Sequence, residues 1–250
     1  MSVEQEFFLD EQIARLYDAS SQDMYDPALL GPTVDLLASL ADGGSRAALE
    51  LGVGTGRVAV PLAERGVRLA GIDLSEPMIN ELRGKPGAAD IDITVGSFRT
   101  TKLDRSFRLV FGIYNVFTTF TTQEEQVAAF VNAAAHVEPD GFLVAECWIP
   151  DLQRLPAGDR VRAFDVSATH LGFDEYEVAE QRCTSHHLLL DDDRVAARGA
   201  SHHRWLWPSE LDLMARIAGM DRHERWATWT RDPFTSDSRN CISIFRKSTV

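Results

Sequence analysis

Three glycines at alternate positions, Gly52, Gly54 and Gly56, follow directly on an apolar run in the stretch ALELGVGTGRVAVPLA, Ala48 to Ala63. Glycine inside a strand or helix loses backbone entropy on folding and packs nothing. Three in such a short span therefore serve something other than packing. The preceding RAALEL reads as a strand, and RVAVPLAER after the glycines reads as a helix. Pro61 is early enough in that helix to be tolerated, and Gly66 closes it.

The same alternation continues through the first half of the chain. VRLAGID is a second strand, and Ser75 then caps a helix carrying Met78, Ile79 and Leu82. IDITVG and FRLVFGIY are further strands, followed by the amphipathic helix TQEEQVAAFVNAAAHV, a turn at Pro139-Asp140-Gly141, and the strand FLVAECW. Two helices precede the first strand, Glu4 to Tyr17 (with Phe7, Phe8, Ile13 and Leu16 at helical spacing) and Pro27 to Leu40. Strands apolar on both faces, alternating with helices, imply an α/β fold with a mostly parallel sheet covered on both sides. In such a sheet ligands bind beyond the carboxyl ends of the strands, where Gly52 to Gly56 and Asp73 both fall.

After Pro150 the pattern changes. Val161 to Leu171, Tyr176 to Leu190 and Val195 to Trp207 read as strands, with DDDR, Asp191 to Arg194, as a hairpin turn between the last two. PSELDLMARIAGM returns to helix, and HERWATW and CISIFRK are two closing strands. The expected organisation is a core of residues 1–150 completed by residues 208–250, with a β-rich insertion over residues 151–207 as acceptor cap or dimer contact.

The net charge of −13, with no basic run, argues against a nucleic-acid partner. Cys147, Cys183 and Cys241 are odd in number, lack metal-type spacing and read as buried reduced thiols. The acidic N-terminus lacks the basic start and apolar core of a signal peptide, and no stretch is long enough to span a bilayer. The expectation is a cytoplasmic protein with a small-molecule partner, monomeric or a homodimer.

Taken alone, GTGRVA from Gly54 to Ala59 fits the dinucleotide rule, in which a pyrophosphate meets the helix N-terminus. The longer pattern Glu50-Leu-Gly52-Val-Gly54-Thr-Gly56 resembles the first motif of class I S-adenosylmethionine-dependent methyltransferases. GIDLSEPMI, Gly71 to Ile79, resembles the second motif of that family, and VEPDGFLVAE its turn and fifth strand. The layout is most similar to small-molecule methyltransferases of bacterial secondary metabolism, such as those that N-methylate amino sugars. The resemblance implies a Rossmann-like sheet with an antiparallel last strand, and S-adenosylmethionine as cofactor.

It also implies site residues. Glu50, Gly52, Gly54 and Gly56 would border the cofactor, Asp73 would accept from both ribose hydroxyls, and Leu74 and Met78 would lie beside it. Where the family often has Gly-Asp after the third strand, this chain has Gly96-Ser97-Phe98, so Ser97 accepting one bond and Phe98 packing on the ring are the adenine contacts. Tyr17 matches a tyrosine that folds over the site. After the fourth strand Asn115 is the polar group expected to face the acceptor; Thr118 and Thr119 stand where the amino-sugar branch has a catalytic histidine. Glu146 is the candidate to orient an amine or act as base. Tyr17, Asn115 and Glu146 are thus the catalytic candidates.

His186-His187 and His202-His203 do not read as a metal site, because strand neighbours point to opposite faces. A symmetric hairpin places Cys183 opposite His202 and Arg182 opposite His203, and a histidine here, or His170, is a candidate base over the pocket. Trp205, Trp207, Trp226 and Trp229 read as core or dimer contact. An NAD(P)-dependent oxidoreductase and a non-catalytic cofactor-binding protein are the alternative functions.

Overall fold

The computed structural model describes residues 9–191 and 194–248 of the chain. Phe7, Phe8 and the turn residues Asp192 and Asp193 lie outside the described residues. Two helices come first, α1 (Glu11–Ser20) and α2 (Pro27–Ala41). Asp10 caps α1, its carboxylate accepting from Gln12 N and Ile13 N at 2.8 and 3.0 Å. Then follow β1 (Ala47–Leu51), α3 (Ala59–Glu64), β2 (Arg68–Asp73), α4 (Glu76–Arg83), β3 (Asp92–Val95), β4 (Phe107–Gly112), α5 (Gln123–Ala135) and β5 (Val137–Trp148).

The first sheet is closed by α6 (Pro208–Ile217), β10 (Met220–Trp226) and β11 (Asn240–Lys247), after a second sheet of β6 (Val161–Val166), β7 (His170–Glu177), β8 (Arg182–Asp191) and β9 (Arg194–Arg204). The strand order of the first sheet is β10-β11-β5-β4-β1-β2-β3. β1 to β5 run parallel, and β11 lies antiparallel between β5 and β10. Strand order reverses beside β1, which pairs with both β2 and β4. That reversal opens the crevice where a ligand can enter.

Alternation along each strand feeds two cores. Leu49, Leu51, Ile72, Phe117, Phe130 and Phe245 pack together on one side of the sheet. Leu37, Ala48, Leu62, Phe111, Val144 and Ile244 pack on the other. Among the described residues no helix is long and apolar enough to cross a membrane.

The structure departs from the sequence expectations mainly in the second sheet, which is antiparallel in the order β6-β7-β8-β9. The expected single strand from Val161 to Leu171 is two, turned at Ser167, whose backbone N–H donates to His170 O at 2.9 Å. Tyr176 to Leu190 is likewise interrupted, by a 3-10 turn over Val178–Glu180 with Gln181 at φ 54°. One extra residue on β9 between Val195 and Ala197 shifts the β8–β9 register, so Cys183 faces His203 and Arg182 faces Arg204. Pro139-Asp140-Gly141 is a kink inside β5, with Asp140 at φ 62°, and the pairing jumps from Phe107↔Val137 to Leu109↔Phe142. Arg108 lies against this kink, donating to Asp140 O at 2.7 Å and sitting 5.0 Å from the Phe142 ring centroid. The four tryptophans form two groups. Trp205 and Trp207 pack with Trp148 and Tyr176, while Trp226 and Trp229 pack on the α2–α3 side of the first sheet.

Candidate functional site

The glycine loop joins β1 to α3 at the crevice. Gly52, Gly54 and Gly56 have φ of 71°, 53° and 78°, a region that L side chains rarely adopt. A Cβ on Gly52 would lie 2.6 Å from Val116 Cγ1, and one on Gly56 would lie 2.2 Å from Leu82 Cδ1. A Cβ on Gly54 would meet nothing within 4 Å. This corrects the sequence expectation that all three serve something other than packing: close approach of Val116 and Leu82 requires the outer two, and only the middle one faces open space. Its N–H donates to Asp73 Oδ2 at 2.7 Å, and Ser75 N–H donates to Asp73 Oδ1 at 2.8 Å. Burial raises the Asp73 carboxyl above its ordinary range, against the backbone N–H groups of Ser75, Gly54 and Leu74, which hold it down. A carboxylate with two backbone bonds retains acceptor capacity for two hydroxyls.

Glu50, at the end of β1, is 3% exposed, and its Oε2 has no hydrogen-bond partner. Burial pushes its carboxyl up to about 8; nearby Arg57 opposes that shift and Asp73 adds to it. An orphaned buried carboxylate oxygen beside a guanidinium fits a zwitterionic α-amino acid group, whose ammonium and carboxylate would meet one each. Those residues, with the open face of Gly54 and the acceptor pair on Asp73, fit S-adenosylmethionine.

Helix α1 crosses this loop. Tyr17 packs with Ile13, Ala14 and the buried Met78 of α4. Burial drives its phenol well above the ordinary range, with Tyr114 adding to the shift and Arg57 opposing it, so the phenol stays protonated. Asp18 accepts from Thr55 Oγ1 of the glycine loop and from the Tyr25 hydroxyl, each at 2.6 Å, and pairs with Lys85 beyond α4. Burial raises this carboxyl, but the bonds from Lys85, Thr55 and Tyr25 outweigh it and leave it below its ordinary range. Leu74 is exposed at the rim. Ser97 is in a turn, its carbonyl accepting from Thr100 N and Thr101 N at 3.0 and 2.8 Å. Phe98 is a core residue, 8% exposed, with its ring 4.9 Å from that of Phe120 and 5.5 Å from that of Phe117.

On the side of β4 and β5, Tyr114 and Asn115 have consecutive left-handed backbones, φ 52° and 67°. Glu146 secures this corner. Its Oε2 accepts from Tyr114 N at 2.8 Å, and its Oε1 accepts from Trp229 Nε1 at 3.0 Å and Asn240 Nδ2 at 2.6 Å. Asn115 Oδ1 accepts from Trp148 N at 2.6 Å. Both catalytic candidates on this side are therefore engaged within the protein. The Tyr114 ring, half exposed, carries the Arg57 guanidinium 5.6 Å from its centroid. Arg57 and Tyr114 escaped the sequence reading, although Arg57 directly follows the last loop glycine.

The second sheet reaches the same corner. Thr118 Oγ1 donates to Asn115 O at 2.7 Å and lies 3.0 Å from His203 Nδ1, and His203 Nε2 lies 2.9 Å from Ser201 Oγ. With the Thr118 proton on Asn115 O, His203 Nδ1–H donates to Thr118 and Nε2 accepts from Ser201. Burial, then His187 and His202, push this imidazole down to about 4, so it is neutral at physiological pH. A histidine thus reaches the β4 loop from β9 instead of from the loop itself. His170 bridges Asp165 and His187, at 2.7 and 3.1 Å. Among the described residues no three His, Cys, Asp or Glu side chains are placed to hold a metal ion.

Comparison with known proteins agrees with this geometry. A family profile described as a methyltransferase domain matches residues 48–141. The chain is 30% identical to the cypemycin N-terminal methyltransferase of a Streptomyces species over 247 residues, covering 93% of this chain and 98% of that one. It is 29% identical to dTDP-3-amino-3,6-dideoxy-alpha-D-glucopyranose N,N-dimethyltransferase of Streptomyces fradiae, over 77% of this chain and 74% of the relative. The solved structure of the CcbJ methyltransferase from Streptomyces caelestis superposes with a TM-score of 0.85 at 31% identity, covering 97% and 98% of the two chains.

Proposed function

Since the chain belongs to the S-adenosylmethionine-dependent methyltransferases, we propose that it methylates the amine nitrogen of a small acceptor, an amino sugar or the N-terminus of a short peptide. Relatives whose names specify an N-terminal methyltransferase and an amino-sugar N,N-dimethyltransferase support the choice of nitrogen. The observation that carries it is the engagement of the acceptor-side groups. Both oxygens of Glu146 and both nitrogens of His203 are hydrogen-bonded within the protein. An alcohol needs a base to take its proton, whereas an amine need only be neutral when it attacks.

When bound, the cofactor would supply an electrophilic methyl group on its sulfonium, with the neutral thioether as leaving group, to the lone pair of a neutral amine, whose surplus proton would go to solvent. The protein's part is positioning and exclusion of water. Asp73 takes the ribose hydroxyls, and Glu50 and Arg57 take the amino-acid end. Leu74 and Ser97 border the adenine, Phe98 supports that wall from within the core, and Tyr17 covers the loop from α1. Asn115 sets the wall between the β4 corner and Trp148. Residues 151–207 form the acceptor's cover.

The test is mass spectrometry of the full chain with S-adenosylmethionine and a panel of amino sugars, short peptides and matched alcohols, with Asp73→Ala as control. One or two methyl additions confined to amines, absent in Asp73→Ala, are expected. Methylation of the alcohols would overturn the choice of nitrogen. Cofactor binding without transfer to any acceptor would favour the non-catalytic reading.

A further inference from the structure

Two adjacent non-glycine residues in the left-handed region are costly, and such backbones persist only where the surroundings over-determine them. Tyr114 and Asn115, at the carboxyl end of β4, are such a pair. The restraints converge on them from three directions. Glu146, 9% exposed, takes the Tyr114 N–H, and its carbonyl receives the Asn115 N–H at 3.3 Å. Its other oxygen is tied to Trp229 and Asn240, on the loop into β11 and at its start. Asn115 in turn holds Trp148 N and receives Thr118, which His203 reaches from β9.

What this framework presents is the Tyr114 ring. It is half exposed although large and apolar. The guanidinium of Arg57, the residue after the last loop glycine, lies 5.6 Å from its centroid, and Tyr114 is among the groups that raise the Tyr17 phenol. An aromatic face attracts cations through its quadrupole, and this one already carries one. Methyl transfer to an amine keeps one positive charge throughout: it begins on sulfur and ends on nitrogen.

Resting on the methyltransferase reading above, we propose that Tyr114 recognises the positive charge at the transferring end of the cofactor, and that Glu146 is the positioning residue that holds it there. Tyr114 is then a specificity-determining residue that favours the charged donor over its neutral product. Glu146 acts only through Tyr114, as a clamp and not as a proton acceptor.

Binding alone tests this, without an acceptor. Isothermal titration of the full chain would compare S-adenosylmethionine, neutral S-adenosylhomocysteine, and sinefungin, whose protonated amine stands near the sulfonium position. Tyr114→Asn removes the ring and keeps a residue that tolerates a left-handed backbone; Tyr114→Phe keeps the ring. In Tyr114→Asn both cationic ligands are expected to lose about tenfold, with S-adenosylhomocysteine unchanged. Tyr114→Phe should retain most of the preference, and Glu146→Gln should behave like Tyr114→Asn. Equal loss of all three ligands in Tyr114→Asn, or no loss, would overturn the proposal. If Glu146→Gln unfolds, the two Tyr114 variants still decide the ring's role, and Asn240→Ala tests the clamp from its far side. A wild-type chain that binds none of the three would instead overturn the cofactor reading itself.

Discussion

At Gly54 and Gly56 the same substitution should produce opposite kinds of damage. A Cβ at Gly56 collides with the fully buried Leu82 in a left-handed backbone. Gly56→Ala is expected to cost about 2–3 kcal/mol in urea unfolding of the ligand-free chain. Gly54→Ala pays only the left-handed penalty, about 1–2 kcal/mol, but places a methyl group in the open space proposed above for the cofactor. Its S-adenosylhomocysteine affinity, read by titration, should fall more than that stability loss implies. Glu50 gives a pH signature with a definite sign. Its carboxyl is pushed from 4.5 up to about 8, so the folded chain holds a proton there that the unfolded chain has lost. Its contribution to stability therefore falls as pH rises between about 4.5 and 8. An ammonium partner needs the carboxylate, so binding must expel that proton. Affinity for S-adenosylhomocysteine is expected to rise with pH from 6 to 8, by up to about tenfold per unit, and to flatten in Glu50→Gln. The glycines and Asp73 were legible because positive φ and a strand-end acid leave a local mark on sequence. Arg57 is marked only by following the last loop glycine and Tyr114 by nothing local, since the roles proposed for them depend on separate elements meeting at one point.

Helix α1 is held to the rest by a small number of directed bonds more than by bulk packing. Its buried patch is Ile13 and Ala14 against Met78, whereas Asp18 joins Thr55, Tyr25 and Lys85 in one group. Asp18→Ala removes hydrogen bonds to a charged acceptor, worth about 1–2 kcal/mol in a partly exposed setting. Hydrogen exchange over residues 11–20 should accelerate roughly tenfold while β1, β4 and β5 keep their protection; uniform acceleration would show that the helix is not a separate unit. Asp18 has a lowered carboxyl, so this attachment is complete above the ordinary aspartate range and is lost as pH falls below it. The elements themselves were legible wherever periodicity alone defines them, which covers β1 to β4 and the helices between them. β5 already begins at Val137, ahead of the expected turn, and β10 runs Met220–Trp226 where HERWATW, residues 223–229, is the expected strand. The second sheet was harder. The turn at Ser167 and the left-handed Gln181 carry neither glycine nor proline, and a single extra residue on β9 shifts every cross-strand partner from Leu189 down to Arg182. No residue type at that point announces a bulge. The histidine pairing expected from a symmetric turn was therefore out by one.

The two sheets act as one molecule because buried polar groups join them where β9 returns to the core. Arg204 donates to Gln126 Oε1 on α5 at 2.6 Å and to Glu210 Oε1 on α6 at 2.9 Å, while its carbonyl accepts from Gln126 Nε2 at 2.7 Å. Glu210 also accepts from Gln181 Nε2 at 2.8 Å, at the start of β8, and from Trp207 N at 3.0 Å. A second tie is Asp151, paired with Arg162 of the insertion and with Arg239 before β11. The first is the one whose loss should be felt globally, since Arg204 and Glu210 are 10% and 14% exposed at their side chains. Arg204→Met leaves the Glu210 carboxylate without its cation in a poorly solvated place, which costs about 3–5 kcal/mol. Burial raises that carboxyl, but Trp207 N, Arg204 and Gln181 together hold it below its ordinary range, so the paired contribution is lost as pH falls through that range. Without Arg204 the depression shrinks and the loss begins at higher pH. Adding Glu210→Gln to Arg204→Met removes the stranded charge, so the double variant should be more stable than Arg204→Met alone. A double variant no better than the single would show that Arg204 serves by shape and by its bond to Gln126, and that the ion pair contributes little to joining the sheets.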